Sequence, residues 1–174
     1  MIRIGVLAAI GLALSACSAA ASAQATDAPA AQTIIDRIDE PILLSAVAKL
    51  GAEAETLGDT NDTYRIVYPN GSRAILRRTA CAQEACRGLL MLAYFSLPKD
   101  RSAAEVETAR REFSANFNPA SVITNDLDEH IVKSYLIFDG GVTTDNLTVR
   151  LAVFGDAVQR YGRALYGVEE QDAE

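Results

Sequence analysis

The sequence predicts an α+β protein in which three helices pack on an antiparallel sheet of about five or six strands. Two apolar arms, 73–78 and 89–95, flank a short polar segment and predict a β-hairpin. Apolar residues recur every three or four positions from 103 and again from 144, which predicts amphipathic helices. The predicted element order is α-β-β-β-β-α-β-β-α. The arm 89–95 is apolar at both alternating faces, so we expect this strand to be covered on both sides.

The first helix is predicted over 38–51, where apolar residues recur near helical spacing. Pro41 suits its first turn, and Gly51 suits its end. A short strand is predicted at 52–57, and a half-buried strand follows where Tyr64, Ile66 and Tyr68 alternate with polar residues. The segment 69–72 contains Asn-Gly and predicts a tight turn into the hairpin.

Helix and strand signals continue after the hairpin. Ser102 and Glu105 form a capping-box pattern that opens the second helix. Strands are predicted at 121–124 and 131–138, the second nearer an edge because it carries polar side chains. Thr143 or Thr144 then caps the third helix. The buried positions predicted for the last two helices are Val106, Ala109, Phe113, Phe117, Leu147, Leu151, Phe154, Val158, Tyr161 and Leu165.

Residues 1–25 are predicted to be an export signal, with Arg3 before an apolar run too short to span a bilayer. Positions 14–17 resemble a lipobox, which predicts a lipid on Cys17 and, with Ser18 following, an outer-membrane lipoprotein. The alternative is ordinary cleavage near 23–25, which releases a soluble periplasmic protein. In both cases we expect a tether at 26–33, one domain at 34–167 and a disordered acidic tail at 168–174.

The cysteines and the net charge limit the chemistry of the domain. A net charge of −7 argues against nucleic acid as a partner. In an oxidising compartment, Cys81 and Cys86 form the remaining pair and are predicted to make a disulfide. Four residues separate them, whereas a thioredoxin-like centre has two, so we favour a structural link. No metal or cofactor is expected, because only His130 could supplement the cysteines as a ligand.

Two polar clusters are candidate sites. The segment 126–130 could suggest a metal or acid–base centre, but we interpret it as a solvated turn. Arg77, Arg78 and Arg87 form a predicted basic cluster, a candidate contact for an anion or an acidic partner. The interpretation we favour is that these arginines solubilise the end of a strand. No nucleophile comes with a plausible base, so a non-enzymatic protein is predicted. The alternative is a thiol/disulfide redox factor or small hydrolase that uses Cys81 and Cys86 or His130.

Several short motifs together resemble the YbjN domain family over positions 41–166. They are Gly51 at a helix end, Asp62-x-Tyr64, the Cys81 and Cys86 pair before an apolar strand, Asn116-Phe117-Asn118, and Gly140-Gly141-Val142 followed by Asn146-Leu147. Members are described as bacterial sensory transduction regulators with a fold like that of type III secretion chaperones. The resemblance implies an α+β binding module. Apolar residues on both faces of the hairpin strands, with no catalytic constellation beside them, predict a peptide or protein partner or a homodimer. The family often has tryptophan where Phe117 stands.

Overall fold

The computed structural model describes residues 33–116 and 119–168. Within these ranges the helices are α1 (Glu40–Lys49), α2 (Ala103–Ala115) and α3 (Thr144–Tyr166). The strands are β1 (Ile34–Ile35), β2 (Glu53–Thr56), β3 (Thr63–Val67), β4 (Arg73–Ala82), β5 (Ala85–Ser96), β6 (Ser121–Thr124), β7 (Glu129–Ile137) and β8 (Val142–Thr143). The predicted α+β class is confirmed. The expectations for the export signal, Cys17, most of the tether, Phe117 and positions 169–174 lie outside the described residues.

Six strands form one antiparallel sheet in the order β2-β3-β4-β5-β7-β6. Strands β2 to β5 follow one another by hairpins, and β7 then pairs with β5 while β6 takes the far edge. The long strands β4 and β5 therefore lie in the middle, and both edges are strands of only four residues. The sequence did not predict β1 and β8, which pair only with each other.

One face of the large sheet, which we call the inner face, packs against the helices. Tyr161 of α3 shows this clearly, since its ring makes edge-on contacts with Phe95 of β5 at 5.2 Å and Phe113 of α2 at 5.1 Å. All six apolar positions predicted for α3 are buried. The buried inner-face residues of the sheet are Tyr64, Ile66, Ala74, Leu76, Leu89, Met91, Ala93, Val122 and Val132. The fold is therefore two layers with the core between them.

Side chains cap the amino-terminal ends of the three helices, and the caps predicted for α2 and α3 are present. Asp39 accepts a hydrogen bond from the Ile42 amide at 2.9 Å, and Thr143 accepts one from the Asn146 amide at 3.1 Å. The predicted capping box of Ser102 and Glu105 is present. No helix among the described residues is long and apolar enough to cross a membrane.

Ile38 corrects the predicted start of the first helix. It lies just before the helix and exchanges two backbone hydrogen bonds with Cys86, at 2.8 and 2.9 Å. Its side chain is nevertheless fully buried, which is why it fitted the apolar pattern of the helix. The chain entering α1 is thereby fastened to the tip of the β4–β5 hairpin.

Candidate functional site

Cys81 and Cys86 face each other across the tip of the β4–β5 hairpin. Their sulfur atoms lie 2.09 Å apart, which is disulfide distance. Cys81 is exposed, whereas Cys86 is buried and its backbone pairs with Ile38. A covalent link at this point joins β4 and β5 next to their turn, and the backbone pairing of Cys86 with Ile38 connects the start of α1 to the same place. Its structural rather than redox role stays a prediction.

The three arginines at the hairpin occupy different environments and do not form one cluster. Arg77 points away from the helices and is exposed, whereas Arg78, one position later, is on the inner face and buried. Arg87 makes a two-point contact with Asp139, with distances of 2.7 and 2.5 Å. This contact raises the pKa of Arg87 and lowers that of Asp139. A role for each in binding an anion or a partner stays a prediction, and Arg87 already has its counter-ion.

Arg78 joins two turns of the chain. Its guanidinium donates to the backbone carbonyl of Glu84 at 2.8 Å and to that of Asn61. Its Nε atom is buried and has no hydrogen-bond partner among the described residues. A pocket of about 560 Å³ lies beside it, with carboxylates in its wall. Two of these already accept hydrogen bonds: Asp39 caps α1, and bonds from Thr60 and Thr63 lower the pKa of Asp62. The hydrogen bonds of Arg78 therefore connect the two turns that contain Asn61 and Glu84.

His130 lies in β7 and not in the predicted solvated turn. The turn ends earlier, because β7 begins at Glu129 and alternation directs His130 to the inner face. The imidazole is buried, and its Nδ1 shares a hydrogen bond with the Tyr161 hydroxyl. Burial lowers the pKa of His130, with the nearby Arg110 acting in the same direction. The part of the chain that the structure describes holds no group of three or more His, Cys, Asp or Glu residues suited to a metal.

The other side of the large sheet, which we call the outer face, is covered by no helix among the described residues. Alternation along the strands places a set of apolar side chains here, of which Tyr94, Tyr135 and Ile137 are 52%, 51% and 58% exposed. The apolar members of the outer face are Val67, Ile75, Leu90, Leu92, Tyr94, Ile123, Ile131, Tyr135 and Ile137. Ile131 is buried, although it lies outside the helix-side core.

The outer face is ordered by cross-strand contacts. Leu90 lies in register with Tyr135, and Leu92 lies in register with Ile75 of the preceding strand. The Tyr135 hydroxyl shares a hydrogen bond of 2.8 Å with the Thr79 hydroxyl. Tyr135 reaches across Gly88, where a Cβ atom would overlap the tyrosine hydroxyl. Gly88 therefore permits the close approach that fixes the aromatic ring on the sheet.

Sequence reasoning missed the outer face because it read β5 as a strand covered on both sides. The structure covers only the side with Leu89, Met91 and Ala93, and leaves Leu90 and Leu92 half-buried and Tyr94 exposed. The signal was present in the sequence, since both alternating sets of β5 are apolar. The sequence pattern could not show which of the two apolar sets of β5 would pack against the helices.

Comparison with known proteins identifies the fold. No protein-family model and no curated protein matches the sequence. Among solved structures, YbjN from E. coli superposes with a TM-score of 0.57 and 11% identity, over 74% of this chain and 91% of that one. The fold is YbjN-like.

The YbjN-like fold also occurs in two other solved structures. A chain of the heterodimeric ExoU–SpcU complex from the type III secretion system of Pseudomonas aeruginosa matches with a TM-score of 0.50 and 16% identity, over 71% of this chain and 98% of that one. An uncharacterized protein from Methanothermobacter thermautotrophicus matches with a TM-score of 0.51 and 14% identity, over 75% and 98% of the two chains. At such identities, the likeness establishes the YbjN-like fold alone.

Proposed function

We propose that this chain is a non-enzymatic protein-binding module of the bacterial envelope that receives a segment of a partner protein on its outer face. The observation that carries the proposal is the apolar surface formed by β4, β5 and β7, which no described helix covers. Contiguous exposed apolar surface of this kind marks interaction sites in soluble domains. The YbjN-like fold agrees with this, because one matching chain comes from a heterodimeric protein complex.

The partner is expected to pack on the face of the sheet and not to extend its edge. Strands β4, β5 and β7 each have a hydrogen-bonded neighbour on both sides, so their backbone groups are already used within the sheet. The edge strands β2 and β6 offer only four residues each. Side-chain contacts with Leu90, Leu92 and Tyr135 therefore supply the binding energy, through the burial of apolar area.

The envelope location rests on the predicted export signal at 1–25. The lipobox at 14–17 supports an outer-membrane lipoprotein anchored through Cys17, with a soluble periplasmic protein as the alternative. The cysteine pair at disulfide distance suits such an oxidising compartment. Labelling of the protein with radioactive palmitate, with Cys17→Ser as the control, would separate the two locations.

The non-enzymatic part of the proposal rests on where the candidate catalytic groups lie. His130 is buried between the sheet and α3, where its imidazole contacts Tyr161. Cys86 is also buried, which leaves Cys81 as the exposed member of the pair. A hydrolase that used His130 would need the imidazole to reach a substrate, and its burial opposes this. The thiol/disulfide alternative rests on Cys81 as the accessible sulfur.

Site-directed photocrosslinking tests the binding surface directly. A benzophenone side chain is placed at Ile137 on the outer face or at Val149 on α3, which are 58% and 57% exposed. The full chain is irradiated in intact cells that produce it, and adducts are separated by mass and identified by peptide sequencing. We expect a discrete protein adduct from position 137 and none from position 149. Equal labelling from both positions, or no adduct from 137, would refute the proposed surface.

A further inference from the structure

We infer that the segment received by the outer face is acidic as well as apolar, an inference that rests on the proposed function. Three cationic side chains, Arg73, Arg77 and Lys133, lie on the outer face among the apolar residues of the central strands. They do so on a chain whose overall net charge is −7. Glu129 is the one carboxylate that alternation places on the outer face of β4, β5 and β7, so within these described strands three cations face one anion. The local charge of the surface formed by β4, β5 and β7 is therefore opposite to that of the whole molecule.

The cations flank a narrow apolar strip. Arg77 is in register with Leu90, and Lys133 is in register with Leu92, so the cations come from the two strands on either side of β5. Neighbouring strands lie about 4.8 Å apart, which places β4 and β7 roughly 10 Å from each other. This spacing matches the width of one polypeptide segment with its side chains. A segment lying along β5 would have a cation on each flank.

The charges on the strip are available to a partner. Arg65, further towards the edge, already pairs with Glu55 at 2.8 Å. Arg73 and Lys133 make no ion pair with any residue that the structure describes. Arg77 lies close enough to Asp62 to contribute to lowering the pKa of that carboxyl, but its side chain is exposed. Carboxylates of a docking segment can therefore pair with all three cations.

A second copy of this chain is a poor occupant for the same face. A two-fold symmetric dimer through the outer face would bring the same cationic strips together, which is electrostatically unfavourable. An acidic segment is attracted to the strip and repelled by the acidic remainder of the surface. The charge pattern therefore favours a different protein that presents an acidic, apolar segment.

The test uses two fluorescein-labelled peptides of equal length, in which leucine alternates with aspartate or with lysine. Fluorescence anisotropy with the full chain should show the aspartate peptide binding at least about tenfold more tightly, with a preference that shrinks as salt rises. Arg77→Glu and Lys133→Glu should each weaken that binding about fivefold, the scale of an exposed ion pair. Arg150→Glu on α3 makes the same change in net charge and should have no effect, while circular dichroism confirms that each variant folds.

The outcomes separate this inference from the function on which it rests. If both peptides bind equally and only Tyr135→Ser weakens them, the apolar surface stands and the acidic preference is refuted. If Arg150→Glu weakens binding as much as Arg77→Glu, the attraction is general and the strip is not the site. If neither peptide binds, the acidic preference is overturned, and the crosslinking from position 137 decides the fate of the surface itself.

Discussion

Gly155 and Gly162 both lie in α3, and we expect a methyl group at the two positions to change stability in opposite directions. At Gly155 an added Cβ would lie 2.8 Å from both Cδ1 and Cε1 of Tyr68, closer than van der Waals contact allows. The Tyr68 ring is buried and cannot retreat without moving its neighbours. At Gly162 the nearest atom is Cε1 of Phe95 at 3.2 Å, in a ring that is only partly buried.

The magnitudes follow from two opposing effects. Replacing a helical glycine by alanine stabilises the helix by about 1 kcal/mol, because alanine loses less backbone entropy on folding. Overpacking a filled core costs about 1–3 kcal/mol. For Gly155→Ala the clash should win and lower the free energy of unfolding by about 1 kcal/mol. For Gly162→Ala the helix effect should win and raise that free energy by about 0.5 kcal/mol, since only a small shift of Phe95 is needed.

Urea unfolding followed by circular dichroism measures both changes from the shift in midpoint. A double-mutant cycle supplies the control: Tyr68→Leu removes the ring, so adding Gly155→Ala to it should be neutral or stabilising. The packing of Tyr68 against α3 would be refuted if Gly155→Ala raised the midpoint as much as Gly162→Ala does. A cycle in which the two substitutions are simply additive would refute it equally.

Three other predictions concern the disulfide pair, the buried imidazole and a helix cap. Cys81→Ser should lower the free energy of unfolding by roughly 2 kcal/mol, which is the loop-closure value for a disulfide between residues this close in sequence. In calorimetry, dithiothreitol should lower the melting temperature of the unchanged chain but not that of the variant. In the folded chain the pKa of His130 lies below its ordinary value of 6.5. As the pH falls, the imidazole is therefore protonated in the unfolded chain before it is protonated in the folded chain. The free energy of unfolding should therefore decrease as pH drops below about 6.5. Urea titrations between pH 7.5 and 5 should show a smaller decrease for the His130→Gln variant than for the unchanged chain. Ser102→Ala should cost about 1 kcal/mol in the same urea assay, and a neutral result would contradict the capping box.

The parts of the fold that the sequence predicted correctly are those specified by local patterns. The periodicity of α3 identified each of its six predicted buried positions, because a helix repeats its buried face within a few residues. The capping box at Ser102 and the cap at Thr143 were equally readable, since each needs only side chains within one turn. Features that depend on hydrogen bonds or spacing within a few residues can therefore be predicted from the sequence.

The candidate site was less predictable because it depends on which elements meet. Arg77 and Arg78 are adjacent in sequence, yet one joins the outer face and the other is buried beside two turns. His130 looked solvated beside three acidic neighbours, and only its pairing opposite Phe95 places it against α3. Alternation assigns residues to opposite faces but does not say which face the helices cover. Contacts between residues distant in sequence determine which face of the sheet the helices cover.

Strand β5 carries apolar residues on both faces, although the helices cover only one of them. Leu89 and Met91 are buried under the helices, and their burial stabilises the chain by itself. Leu90 and Leu92 remain half-buried, so the unbound chain gains only part of the hydrophobic stabilisation that such side chains can supply. The rest of this hydrophobic stabilisation is gained only when another surface covers the outer face. Under the proposed function, association with a partner would bury the part of Leu90 and Leu92 that the isolated fold leaves exposed.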